Sequence, residues 1–279
     1  MRILLFVFSL LLVAGVGFSG CGRSKVDNSD KAKNAKVVFL HHSTGGVIWR
    51  VENSLWARVK RKIGFETGIP RWFDKYNKQN GTNYQIREMN FPKRDPYGWN
   101  NYPYDYYNIW VKNGHQDYFM EEPTLKTLTA DYDVVIFKHC FPASDIVFDI
   151  QPDVNSDVKS VENYKLQYEA LKKEMYKYPD TKFLLWTPPA LVEAATTPES
   201  ARAATEFSLW VIEEWDQPDD NIFIWDFRTL ETEGGIYLAP ENAAGERDSH
   251  PSYSFAKRIY PLFARRIVEV IEHAPRNVK

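Results

Sequence analysis

Four short runs of β-branched and other apolar residues, Lys36-Val-Val-Phe-Leu40, Asp133-Val-Val-Ile-Phe137, Lys182-Phe-Leu-Leu-Trp186 and Asn221-Ile-Phe-Ile-Trp225, recur along the chain with helical segments between them. Runs this apolar, with no polar alternation, read as strands buried on both faces. A fifth run, Tyr84 to Met89, alternates and reads as a half-exposed edge strand. The clearest helical segment is 158–178, where Tyr164, Tyr168, Leu171 and Met175 share a face and Pro179 follows the end. Segments 47–63, 200–215 and 252–273 carry helical spacing too. The last contains Pro261, which predicts a kink or a helix in two pieces. Strands alternating with helices across 36–279 predict an α/β domain, a parallel sheet covered on both faces through right-handed crossovers. No internal repeat or second domain boundary is visible.

Composition narrows the class. A chain of 279 residues supports one large domain, and 44% hydrophobic with 26% charged residues is ordinary for a globular protein and excludes a disordered or low-complexity one. Lys and Arg total 35 against 37 Asp and Glu, a net charge of −2, which removes the electrostatic case for nucleic acid. The two cysteines, Cys21 and Cys140, rule out a disulfide framework of more than one bridge.

At the N-terminus, Arg2 precedes an apolar run from Ile3 to Val16, and Ser19 and Gly20 lead to Cys21. The run is shorter than the ~20 apolar residues a bilayer span needs, so residues 1–20 read as a secretory signal. Phe18-Ser19-Gly20-Cys21 resembles a bacterial lipobox, which implies cleavage before Cys21 and a lipid on that cysteine. Residues 21–35 then form a polar tether, and 36–279 the folded domain. The expected location is the cell envelope, outside the cytoplasm, with the membrane engaged through the N-terminal lipid alone. Ordinary signal cleavage nearby would instead leave Cys21 a free thiol.

Residues 91–122 lack clean periodicity and carry Tyr97, Trp99, Tyr102, Tyr104, Tyr106, Tyr107 and Trp110. These rings either line a cleft for sugar rings or pack a long insertion onto the body.

In open α/β sheets ligands bind beyond the carboxyl ends of the strands. After the first strand stands His41-His42-Ser43-Thr44-Gly45-Gly46, leading into a helix; late in the chain Arg247-Asp248-Ser249-His250-Pro251-Ser252 precedes the last one. Serine early with aspartate and histidine late supplies nucleophile, orienter and base. The plain alternatives are Ser43 as a helix N-cap, His250 as a cap of the last helix and Asp248 as a surface charge. His41 and His42, with His139 or Asp145, invite a zinc reading, but adjacent residues of an extended chain point to opposite sides, so no metal is expected. Nor is any cofactor. One of the two histidines should pack or hydrogen-bond beside the site. Cys140 reads as a small buried hydrophobe. Lys138 could bind an anionic substrate or pair with Asp145.

These two blocks resemble the SGNH, or GDSL-like, hydrolase superfamily of esterases and lipases. The resemblance spans the mature domain in topology, while only the two end blocks are specific in residues. It implies a three-layer α/β/α sandwich, flavodoxin-like, around a mostly parallel five-stranded sheet. It also implies Ser43 as nucleophile, His250 as general base and Asp248 as orienting acid, with an oxyanion held by the serine amide, a glycine after strand two and an asparagine after strand three. The chain departs from that pattern in three places. His42 stands where the family has an acid; Asp248 lies two positions before His250 rather than three, leaving Glu246 or Asp226 as alternatives; and the third block has no asparagine. Gly98 is the candidate glycine, with Asn100 as a side-chain donor, and Ser144 or an amide near Cys140 the candidate third donor. The function implied is a serine esterase removing an acyl group, such as acetyl, from a carbohydrate. A glycan-binding lipoprotein with a drifted site, and an acyltransferase acting on envelope polysaccharide, are the alternatives.

Overall fold

The computed structural model describes residues 33–51, 67–148 and 151–273. The signal segment, Cys21 and most of the expected tether lie outside them. In chain order the elements are β1 (Asn34–His41), α1 (Thr44–Arg50), α2 (Gly68–Asn80), β2 (Asn83–Asn90), α3 (Pro103–Tyr106) running on as a π-helix over Tyr107–Lys112, β3 (Tyr118–Phe119), β4 (Glu122–Pro123), α4 (Leu125–Asp131) and β5 (Val134–Phe137). A 3-10 turn (Phe141–Ser144) leads to α5 (Val161–Met175), β6 (Lys182–Trp186), α6 (Pro198–Trp210) with a π-helical turn at Val211–Trp215, β7 (Ile222–Trp225), α7 (Phe227–Thr232), β8 (Ala243–Gly245), β9 (Asp248–Pro251) and α8 (Tyr253–Glu272).

All four apolar runs and the alternating fifth are strands of one sheet, ordered β2-β1-β5-β6-β7. Every pairing in it is parallel. Counting these strands alone the order is 2-1-3-4-5, the flavodoxin-like arrangement. The alternating run is the edge strand β2, with Gln85, Arg87 and Glu88 exposed.

Side-chain alternation divides the core into two layers. Val37, Phe39, Val134, Ile136, Leu184 and Trp186 pack under α1, α2 and α8. Val38, Leu40, Val135, Phe137, Phe183 and Leu185 pack under the helices of the other face. Trp186 anchors the first layer, its ring centroid 5.2 Å from Phe39, 4.7 Å from Phe227 and 4.6 Å from Phe263. Such pairs contribute ~0.5–1.5 kcal/mol each beyond the area they bury.

The aromatic stretch is a packed element rather than a structureless insertion. Tyr106 and Trp110 are fully buried, 4.9 Å apart and edge-to-face, and both meet Phe91 and Phe137. Of this group Tyr97 is exposed. Helix α8 runs unbroken through Pro261, not as two pieces. The carbonyl that a proline at this position frees belongs to Lys257, which is exposed to water. At the other end of α8, Lys182 Nζ donates to the carbonyls of Val270 and Ile271 at 2.9 and 2.8 Å, satisfying acceptors the helix leaves open. Helix α1 is short: it ends at Arg50, before a left-handed Val51, and residues 52–66, where the expected 47–63 helix would continue, lie outside the described residues. Helices α2 and α4 were not anticipated by spacing.

Candidate active site

The chain leaves β1 at His41 and turns sharply into α1. Ser43 makes that turn with φ 38° and ψ −97°, a region that costs a non-glycine residue ~1–3 kcal/mol and persists only where its surroundings impose it. Two features impose it here. Val47 N–H donates to the Ser43 carbonyl at 3.1 Å and Gly45 N–H to the His42 carbonyl at 2.9 Å, starting the helix at once. Gly45 also lies against His41, where a Cβ would come within 2.5 Å of the histidine Cβ. Only glycine fits that contact without displacing something.

Ser43 is exposed and makes no capping bond. Its hydroxyl instead meets His250 Nε2 in a short hydrogen bond. His250 Nδ1 donates to Asp248 Oδ1 at 2.6 Å, and the His250 amide donates to the same oxygen at 3.0 Å. The two-residue spacing works because Asp248 and His250 lie on β9, where positions i and i+2 share a face. The intervening Ser249 points inward and accepts the Val192 N–H at 3.1 Å, which ties β9 to the segment after β6. The His250 amide, then its ring, hold the Asp248 carboxyl below the ordinary aspartate value. The alternative acids lie elsewhere: Asp226 caps α7 through Thr229 N–H at 3.2 Å and accepts from Thr187, and Glu246 is exposed with no bond to His250 among the described residues. The Phe141 ring completes the setting, its centroid 5.0 Å from that of His250 with the two planes at 84°.

The histidine pair is split as extended geometry requires. His41 is buried and donates Nε2–H to Glu88 at 3.0 Å, and Glu88 also accepts from Arg50 at 3.3 Å. Burial drives His41 down despite Glu88; in Glu88 burial is outweighed by the His41 bond and the Arg50 charge, so the pair is a neutral imidazole on an ionised carboxylate. His42 turns the other way and donates Nε2–H to the Pro92 carbonyl, just past β2. Among the described residues no group of three or more His, Cys, Asp or Glu could hold a metal ion.

Three of the four expected substrate-binding and oxyanion residues, Gly98, Ser144 and Lys138, need correction. Gly98 has φ +77°, but its N–H already donates to the Arg94 carbonyl, so that amide is committed to a turn. Asn100 is exposed; its backbone N–H donates to Asp105 at 2.6 Å, a bond that does not involve the side-chain amide expected as donor. Ser144 is buried and spends its hydroxyl proton on the Pro189 carbonyl at 2.5 Å. Lys138 is fully buried, so it cannot meet a substrate from solution; nor does it pair with Asp145, which accepts from Ser200 at 3.1 Å. Lys138 continues the alternation of β5 onto the α1 side, and its charge is felt by His41, His42 and Glu231. Burial pushes its ammonium down and the Glu231 carboxyl up to about 8. His139 faces the opposite layer, 4.7 Å from Tyr106, and burial takes it to about 3. Cys140 is a buried free thiol whose amide donates to the Asn101 carbonyl at 3.3 Å. The donor left beside the hydroxyl is the Ser43 amide, which has no acceptor among the described residues.

Sequence reasoning missed Phe141 and Glu88. An acid on the same strand face as the buried Tyr84, on an edge strand beside the strand that ends in His41, was the available signal for Glu88. Phe141 offered none beyond its place after β5.

No protein-family model matches the chain. No curated protein matches it. Among solved structures it is similar to a lipase/acylhydrolase from Enterococcus faecalis, at 13% identity and TM-score 0.48 over 88% of this chain and 100% of that one. It is also similar to Axe2, an acetylxylan esterase from Geobacillus stearothermophilus, at 14% identity and TM-score 0.47 over 88% of this chain and 97% of that one. Both TM-scores lie below 0.5, so the three-layer α/β/α assignment rests on the strand order and layers themselves.

Proposed function

We propose that the chain is a serine esterase in which Ser43 attacks an ester carbonyl. The observation that carries this reading is the hydrogen-bonded series Ser43, His250, Asp248 with the serine exposed at the end of β1. Ser43 Oγ adds to the carbonyl carbon as its proton passes to His250 Nε2, and Asp248 stabilises the imidazolium and holds its orientation. The Ser43 amide donates to the oxyanion. Collapse of the tetrahedral species expels the alcohol, which takes the proton from Nε2. Water, deprotonated by the same nitrogen, then releases the acid and restores Ser43. Exposure of Ser43 within reach of His250 favours turnover over a binding role.

The finer reading concerns substrate and place. We take the acyl group to be small, acetyl being the simplest, because the Phe141 ring walls one side of His250. The alcohol is taken to be a carbohydrate, and the chain a lipoprotein held at the envelope through Cys21. The signal grammar of residues 1–21 supports the location; the aromatic stretch lends the carbohydrate little, since most of its rings are buried.

A fluorophosphonate probe tests the core of this reading. The domain from Gly22 onward should form one adduct, on Ser43, that is absent in His250→Ala. A folded domain that never labels refutes it. Hydrolysis of acetylated sugars in preference to longer p-nitrophenyl acyl esters tests the substrate class, and mass analysis of the mature N-terminus tests the lipid.

A further inference from the structure

We infer that His42 is a positioning residue that fixes Ser43 by clamping the nucleophile turn to the chain leaving β2; the inference rests on Ser43 being the nucleophile. Three observations converge. The backbone at Ser43 is strained and needs support on both sides. On one side His41 is fastened to β2 through Glu88, and Phe91 N–H donates to the His41 carbonyl at 3.4 Å. On the other, the His42 ring reaches Pro92, so consecutive side chains hold β2 and the chain just past it, immediately before the serine.

The bond also defines the state of the ring. A carbonyl only accepts, so Nε2 carries the proton and a neutral His42 has Nδ1 bare. Burial opposes a second proton and outweighs the Pro92 bond, which favours it, and the charge of Lys138 opposes it too. The clamp reaches further than Ser43. The chain beyond Pro92 includes Asn101, whose side chain donates to the Phe91 carbonyl at 2.7 Å and whose carbonyl accepts the Cys140 amide. Cys140 precedes Phe141, the ring against His250. One run of bonds therefore leads from His42 through the post-β2 loop to the far wall of the site.

The test compares His42→Gln, whose amide nitrogen lies the same number of bonds from Cβ and can donate, with His42→Phe, which keeps a flat ring and has no donor. In the full chain, probe labelling of Ser43 and ester turnover should fall about ten- to a hundredfold in the Phe variant, mostly in kcat with KM little changed, as a displaced nucleophile requires. The Gln variant should recover most of that loss. Equal rates for the Phe variant and the wild type, or equal losses for Gln and Phe, overturn the clamp. A wild-type chain that never labels refutes the esterase reading separately. The clamp is then judged by long-range 1H–15N correlation of the histidine rings, in which a His42 protonated on Nδ1 overturns it and one protonated on Nε2 supports it.

Discussion

Replacing Gly45 by alanine adds one methyl group at a tight contact beneath the proposed nucleophile. The new Cβ would stand 2.5 Å from His41 Cβ and 2.6 Å from its Cγ. Carbon atoms rest at ~3.5–4.0 Å, so about 1 Å must be opened between α1 and the end of β1. His41 cannot swing aside, because its ring is bonded to Glu88 and packed 4.4 Å from Phe39. Overpacking of this kind costs ~1–3 kcal/mol, and losing the charge-assisted bond to Glu88 another ~1.5–3 kcal/mol. Alanine in a helix returns ~1 kcal/mol relative to glycine. The net is a destabilisation of about 3 kcal/mol, which for a domain of this size lowers Tm by roughly 6–12 °C. Thermal unfolding followed by circular dichroism reads the shift, and probe labelling at a temperature where the variant is folded reads the displacement of Ser43. A Gly45→Ala protein as stable as the wild type, or more so, would show that helix propensity governs this position and that the contact with His41 is slack.

Ser43→Ala should abolish probe labelling and ester hydrolysis while leaving Tm within a few degrees, as judged by mass spectrometry and calorimetry on the same sample. Asp248→Asn should lower kcat at least about 100-fold, because the amide no longer holds His250 in the tautomer whose Nε2 accepts the serine proton; steady-state kinetics with an activated ester reads this. Glu231 binds its proton more tightly folded than unfolded, so its contribution to stability is full below the unfolded value of 4.5 and is lost as pH rises towards about 8. Glu231→Gln should therefore lose less stability than wild type across that window in urea melts. If the two proteins have parallel pH profiles, Glu231 does not carry a raised pKa.

The strands and the end blocks were legible because their signals are local. The run 182–186 is the whole of β6, and the others differ from the observed strands by two residues or fewer at each end. Helix α2 escaped notice because only Ile69 and Phe73 are buried in a segment otherwise rich in Lys, Asn and Gln. The aromatic stretch was ambiguous for a different reason: Tyr106 and Trp110 serve the core, but tyrosine and tryptophan also suit a sugar-binding surface, and composition does not separate the two uses. Ser43, His250 and Asp248 could be named from order along the chain. The misplaced donors could not, since whether Ser144 or Gly98 has a free hydrogen depends on carbonyls of Pro189 and Arg94 that no spacing rule brings to them.

Ser43 and His250 are 207 residues apart, one just after the first strand and the other just before the last helix. A chain growing from the ribosome exposes its serine long before its histidine. Until α8 docks, Ser43 is an ordinary alcohol with no base to deprotonate it. On the proposed mechanism the nascent chain is chemically silent until His250 is in place, and the first ester cleaved reports that two stretches 207 residues apart have met.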